Sequence, residues 1–112
     1  MESIDIAKRI IDFLDSKKAI DIMRIEIKDI SILGDYFIIC SGNSTTHIKG
    51  LADELIKELK KNSIECLKKE GYESARWILV DYGDVIVHIF HKEDRKFYNL
   101  ERIWADGKIK SI

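Results

Sequence analysis

Hydrophobic residues near the start of the chain recur at three- and four-residue steps. Ile4, Ala7, Ile11 and Leu14, with Ile10 beside them, form one stripe, while Lys8, Arg9 and Asp12 fall outside it. That spacing predicts a first helix ending near Ser16. From Ile22 the period changes to two, with Ile22, Arg24 and Glu26 on one side and Met23, Ile25 and Ile27 on the other, the pattern of a half-buried strand. "KDISILGD" then turns the chain, with Gly34 as its permissive point. "YFIICSG" is almost continuously apolar and rich in aromatic and β-branched residues, which predicts a central strand buried on both faces. In "SGNSTTH", Asn43 or Ser44 caps a second helix whose core face is Ile48, Leu51, Ala52, Leu55, Ile56 and Leu59. A short strand around residues 64–68, a break at Gly71, a hairpin over residues 76–90 and a helical stretch over residues 93–104 follow. Residues 107–112 are expected to fray.

Strand, helix and strand in succession imply a right-handed parallel crossover, and the hairpin adds antiparallel neighbours. The expected fold class is therefore α/β, a mixed, mostly five-stranded sheet with helices packed on it. The chain of 112 residues shows no repeat, low-complexity tract or linker, and residues 1–106 read as one domain. A domain of this size buries roughly 65% of the surface its unfolded form exposes, enough for one core.

Composition narrows the function classes. Hydrophobic residues make up 46% and charged residues 35%, and no apolar run approaches the roughly 20 residues that span a bilayer, so a membrane role is not expected. Nineteen basic residues against twenty acidic ones leave a net charge of -1, too little positive field to draw the chain onto bulk nucleic acid. A role near RNA would therefore be received by a protein. Cys40 and Cys66 lie in separate runs and read as buried or idle thiols of a reducing cytosol rather than a disulfide frame. The first ten residues carry helical spacing and neither a signal peptide's apolar core nor a transit peptide's composition. A folded domain starting almost at Met1 is the expectation.

The stretch "RWILVDYGDVIVHIF" carries the candidate chemistry. With Tyr82 and Gly83 as the two turn residues, Asp81 faces Asp84, Leu79 faces Ile86 and Trp77 faces His88. Ile78, Val80, Val85, Val87 and Ile89 then form a purely aliphatic core face. The other face mixes Trp77, Leu79, Ile86 and Phe90 with His88 and the two carboxylates, a composition suited to a binding surface with an aromatic centre and polar edge. Two facing carboxylates repel by roughly 0.2 to 1 kcal/mol, so folding alone gains nothing from them. They are either solvated loop-tip charges or the contact for Arg and Lys on a partner. No third ligand lies within reach on that face, which weighs against a metal site or acid/base chemistry. Tyr82 is a poor choice for the apex of a tight turn, so either it closes back over the sheet or it is a contact residue.

The remaining candidates are weaker. His88 and His91 are three apart on a strand and point to opposite faces, so they do not form a metal pair. His47 opens the second helix and is expected to be exposed. "SGNS" at a strand-to-helix junction presents backbone N–H groups that suit an anion, a feature shared with many ordinary caps. Tyr98 and Trp104 read as packing residues of the last helix. No cofactor is expected.

"DYFIICSGNS" at residues 35–44, "GYESARWILVDYGDVIVHIF" at 71–90 and "RKFYNLERIW" at 95–104 resemble the ribosomal silencing factors, the iojap-like family also called RsfS. The resemblance spans most of the chain in order and spacing. It implies a small α/β domain of nucleotidyltransferase-like shape, often a homodimer, that binds the universal fourteenth protein of the large ribosomal subunit. Occupying that face would keep the small subunit from joining and so repress translation. The alternative supplied by the same resemblance is a metal-dependent nucleotidyltransferase or nucleotide binder. Active members of that fold place Gly-Ser after a strand and an Asp-x-Asp pair on the next, whereas here Gly42 precedes Asn43, and Asp81 and Asp84 are three apart. The resemblance therefore implies a protein that is not an enzyme. Organellar relatives carry targeting extensions absent here, which implies a bacterial, cytoplasmic protein; the near-neutral charge carries the separate expectation of no direct sequence-specific nucleic-acid binding. Parity within the hairpin motif gives the expected partner contacts: Trp77 as apolar anchor, with Leu79, Asp81, Tyr82, Asp84, His88 and Phe90, joined by Tyr98 and Glu101.

Overall fold

The computed structural model describes residues 2–95 and 108–112. Helix α1 (Ser3–Ser16) is followed by strands β1 (Ile20–Glu26) and β2 (Tyr36–Gly42), helix α2 (Thr45–Lys61), and strands β3 (Lys68–Glu70), β4 (Trp77–Asp81), β5 (Val85–His91) and β6 (Lys108–Ser111). The strands form one sheet in the order β3-β4-β5-β2-β1-β6. Among the described residues only β2 and β5 run parallel; the other four pairings are antiparallel. The mixed sheet expected from the sequence is present, with six strands rather than five.

The helical stripes set the first core. Ala7, Ile10, Ile11 and Leu14 of α1 and Ile48, Leu51, Ala52, Leu55 and Leu59 of α2 are buried against the same side of the sheet. Strand alternation supplies the other half of that core, with Ile22, Tyr36, Ile38, Cys40, Ile78, Val80, Val85, Val87 and Ile89 facing the helices. On the opposite side Ile25, Ile27, Phe37, Ile39, Ile86 and Phe90 form a second buried cluster, with Trp77 and Leu79 partly buried against it. All seven residues of β2 are buried, as expected of a strand with β5 and β1 on either side.

Both helices end the same way. After α1, Ala19 N–H reaches Leu14 O and Lys18 N–H reaches Asp15 O, with Lys18 at φ 64. After α2, Ile64 N–H reaches Leu59 O and Ser63 N–H reaches Lys60 O, with Ser63 at φ 62. These are Schellman caps built without glycine. The second corrects the strand expected over residues 64–68: Ile64 closes the helix end, and the strand starts at Lys68, where it can pair with Asp81.

The C-terminal tail is also corrected. Instead of fraying, Lys108–Ser111 pairs antiparallel with β1, and Ile112 N–H bonds Ile22 O at 2.9 Å. Its side chains are all exposed, so backbone pairing, joined by the Lys108–Glu26 ion pair at 3.4 Å, places it, and no apolar alternation announces it. The helix expected over residues 93–104 lies mostly outside the described residues. No described helix is long and apolar enough to cross a membrane.

Candidate functional site

The hairpin pairs Trp77 with Phe90, Ile78 with Ile89, Leu79 with His88, Val80 with Val87 and Asp81 with Ile86. Tyr82 N–H donates to Val85 O at 2.9 Å, so Gly83 and Asp84 are the turn residues. Gly83 has φ 88, the positive value that the first central position of a type II′ turn requires. The expected register with Tyr82 and Gly83 in the turn is thus off by two residues. A slip of two keeps every side chain on its predicted face, which is why the division into an aliphatic and a mixed face survives.

Asp81 and Asp84 do not face each other. Asp81 pairs with Ile86, and its Oδ1 accepts a 2.7 Å bond from Gly83 N–H, fixing the turn. Asp84 is exposed in the turn, and its carbonyl accepts from Asp35 N–H (2.7 Å) and Tyr36 N–H (3.1 Å), tying the hairpin to the start of β2. Tyr82 is not an apex residue: it is 8% exposed and packs in the helix-side core. Its hydroxyl is buried without a hydrogen-bond partner among the described residues, and burial holds its ionisation well above the usual phenol range.

Trp77 is half-buried at the start of β4 and held on two sides. Its Nε1–H donates to His88 Nδ1 at 3.1 Å, and its ring stacks on Phe90 with centroids 4.9 Å apart at 28°. His88 in turn meets Phe37 edge to face at 4.7 Å. His88 and Phe90 are only 5% and 1% exposed, so they lack the surface of contact residues and instead form the bed on which the indole lies. Burial pushes the His88 imidazole down to about 4, so it is neutral at ordinary pH. Since Nδ1 accepts from the indole, the ring proton sits on Nε2, which is buried without a partner among the described residues. Leu79 and Asp81 are half-buried on the same face. Of the nine residues singled out from the sequence, the sheet therefore presents Trp77, Leu79 and Asp81 on one face with Asp84 at its tip, and withdraws Tyr82, His88 and Phe90. Tyr98 and Glu101 lie outside the described residues.

Sequence reasoning missed the clamp behind Trp77. Arg76 donates from Nε and Nη2 to the two carboxylate oxygens of Asp94, both at 2.8 Å, and lies 3.5 Å from Glu93. This fork bond and the His91 N–H to Arg76 O bond (2.9 Å) fasten the start of β4 to the end of β5. The guanidinium holds the Asp94 carboxyl below its ordinary range. The residues are eighteen apart, and only the hairpin register brings them together.

The "SGNS" junction is occupied from within. Asn43 N–H donates to His47 Nδ1 at 3.0 Å, and His47 N–H donates to the Ser44 hydroxyl at 3.1 Å, making Ser44 the N-cap of α2. Two of the N–H groups that could hold an anion are thus bonded already. No group of three His, Cys, Asp or Glu residues is arranged to hold a metal among the described residues. Cys40 is buried at the sheet centre, its thiol pushed up to about 12 by burial, which leaves it unreactive.

Fold and site together define a small mixed-sheet α/β domain that presents a rigidly held tryptophan beside carboxylates, an arrangement suited to binding another macromolecule. Over residues 1–112 the chain matches the family described as "Ribosomal silencing factor during starvation", and it belongs to that family. It is 42% identical over 107 residues to the ribosomal silencing factor RsfS of Halalkalibacterium halodurans, covering 96% of this chain and 92% of that one. It is 34% identical over 99 residues to a mouse protein named "Mitochondrial assembly of ribosomal large subunit protein 1", covering 86% of this chain and 43% of that protein. A crystal structure of a Chromobacterium violaceum protein superposes with a TM-score of 0.90 at 33% identity, covering 94% of this chain and 88% of that one.

Proposed function

We propose that this chain is a non-catalytic repressor of translation that binds the large ribosomal subunit through its universal fourteenth protein and sterically prevents the small subunit from joining. Family membership and the name of the mouse relative support a ribosomal partner. The observation that carries the surface assignment is Trp77, half-buried yet still reaching solvent on a sheet face, and fixed by a hydrogen bond to His88 and a stack on Phe90. An aromatic anchor already held in place loses little side-chain entropy on binding. Leu79 extends the apolar contact, and Asp81 and Asp84 meet basic groups of the ribosomal protein. The protein acts in the cytoplasm and forms a homodimer.

The decisive test is sedimentation of ribosomal subunits with and without the protein. The expected result is co-migration with large subunits and a loss of intact ribosomes in proportion to the protein added. Failure to travel with large subunits would remove this reading. The nucleotidyltransferase alternative has less support, because the Asn43 and His47 N–H groups are already taken within the chain. Saturable binding of ATP with magnesium would revive it.

A further inference from the structure

Four large apolar residues stand exposed near the β4–β5 turn and belong to neither core cluster. Ile32 is fully exposed, Leu67 is 69% exposed, and Leu33 and Ile30 are 56% and 44% exposed. Three of them sit on the loop between β1 and β2, whose neck is closed by the Ile27 N–H to Asp35 O bond at 2.8 Å. Burying them would require either core to reach past that neck, so folding gains nothing from their identity.

Close backbone packing brings this loop to the turn. A Cβ on Gly34 would lie 3.1 Å from the carbonyl oxygens of both Gly83 and Asp84, so the loop rests directly on the hairpin tip. From the other side, a Cβ on Gly83 would be 3.4 Å from Leu67 Cδ1, and Leu67 N–H bonds Asp81 O at 2.8 Å. The turn thus joins the loop and Leu67 into one apolar tip. Asp29 is exposed on the same loop and Asp84 is exposed in the turn, with half-buried Asp81 beside it, whereas the Asp35 carboxylate accepts from the Ser3 hydroxyl at 2.7 Å and faces α1. The nearby cations Lys28 and Lys68 are drawn to Glu26 (3.8 Å) and Glu70 (2.8 Å).

We infer that this tip is a second docking surface, and that its occupant is a cationic protein surface of the large ribosomal subunit carrying an apolar recess. The inference rests on the ribosome-binding function proposed above and extends it to the apolar residues Ile30, Ile32, Leu33 and Leu67, which the Trp77 surface does not include; Asp81 and Asp84 border both surfaces. Charge selects the occupant. The exposed carboxylates of Asp29 and Asp84, with Asp81 beside the turn, repel the phosphates of ribosomal RNA. A second copy docking through the same tip in a two-fold contact would set those carboxylates against each other. A basic protein surface relieves both conflicts and also covers apolar side chains that are costly to leave in water.

The test compares wild type with Ile32→Ser combined with Leu33→Ser, and separately with Leu67→Ser, in co-sedimentation with purified large subunits. Melting temperature and solution mass are measured on each variant. The expected result is at least tenfold weaker binding for the loop pair and a smaller loss for Leu67→Ser, with wild-type melting because none of these residues is in a core. Wild-type affinity in both variants would overturn the docking surface while leaving the ribosomal function standing. Absence of wild-type binding to large subunits would overturn both together. A change in solution mass with unchanged subunit affinity would assign the tip to contact between copies. Equal binding to naked ribosomal RNA, lost in the variants, would assign it to nucleic acid; either result overturns the inference.

Discussion

Strands β4 and β5 are partners in one hairpin and similar in apolar content, yet they meet solvent differently. All seven residues of β5 are buried, whereas β4 alternates half-buried Trp77, Leu79 and Asp81 with buried Ile78 and Val80. The cause is their place in the sheet. β5 lies between β4 and the fully buried β2, while β4 is bordered on its outer side only by β3, three exposed residues of Lys and Glu. Side chains of the mixed face therefore have apolar neighbours on both sides in β5 and on one side in β4. One hairpin thereby separates support from contact: the inner strand supplies the bed of His88 and Phe90, and the outer strand lays Trp77 across it.

Substitutions should separate the two strands by what they damage. The largest effect is expected from Phe90→Ala, which empties a site that is 1% exposed and should cost about 3 to 5 kcal/mol of stability in urea unfolding. A loss under 1 kcal/mol would show that β5 is not the structural half. Next comes the acid response of His88. Its folded value near 4 lies below the ordinary 6.5, so the unfolded chain takes the proton first as pH falls. Stability is therefore complete above about pH 6.5, declines between there and about 4, and levels below. The loss is on the order of 3 kcal/mol, at roughly 1.4 kcal/mol for each unit of displacement. His88→Gln should flatten that decline, and an unchanged slope would mean that other groups carry it. Trp77→Ala should show the opposite profile to Phe90→Ala: the fold persists, while affinity for the proposed ribosomal partner falls by about 2 kcal/mol or more. Wild-type binding by this variant would remove the anchor assignment.

How much of this was legible beforehand follows the same division. The helix stripes and the buried β2 could be read from Ile10, Leu14, Ile48 and Leu55 and from "YFIICSG", because burial on one or two faces leaves a period in the sequence. The two faces of the hairpin were legible for the same reason. Its register was not, because Tyr82-Gly83 and Gly83-Asp84 both place a glycine in a two-residue turn, and the choice depends on whether Tyr82 has a core to enter. That slip concealed the pairing of Trp77 with Phe90. Trp77 pairs directly with Phe90 and reaches His88 only along the diagonal, a contact within range of aromatic side chains. Strand β6 left no trace at all, since an exposed edge strand of Lys, Ile, Lys and Ser is placed by backbone pairing.

The smallest expected effect concerns the acidic end of β4. Asp81→Asn with Asp84→Asn should leave the hairpin intact, because an asparagine Oδ1 can still accept the Gly83 N–H bond and Asp84 is exposed. What changes is charge. Exposed carboxylates act on an approaching cationic surface over about a Debye length, ~8 Å at physiological salt, so their removal should slow association more than it speeds dissociation. The wild-type association rate should fall steeply with added salt, and that of the double variant should change little. If rates of both proteins respond to salt alike, the carboxylates serve only the turn, and recognition by β4 is confined to Trp77 and Leu79. If the variant instead loses stability, Asp81 belongs with the supporting residues of β5, and the contrast between the two strands fails at its polar end.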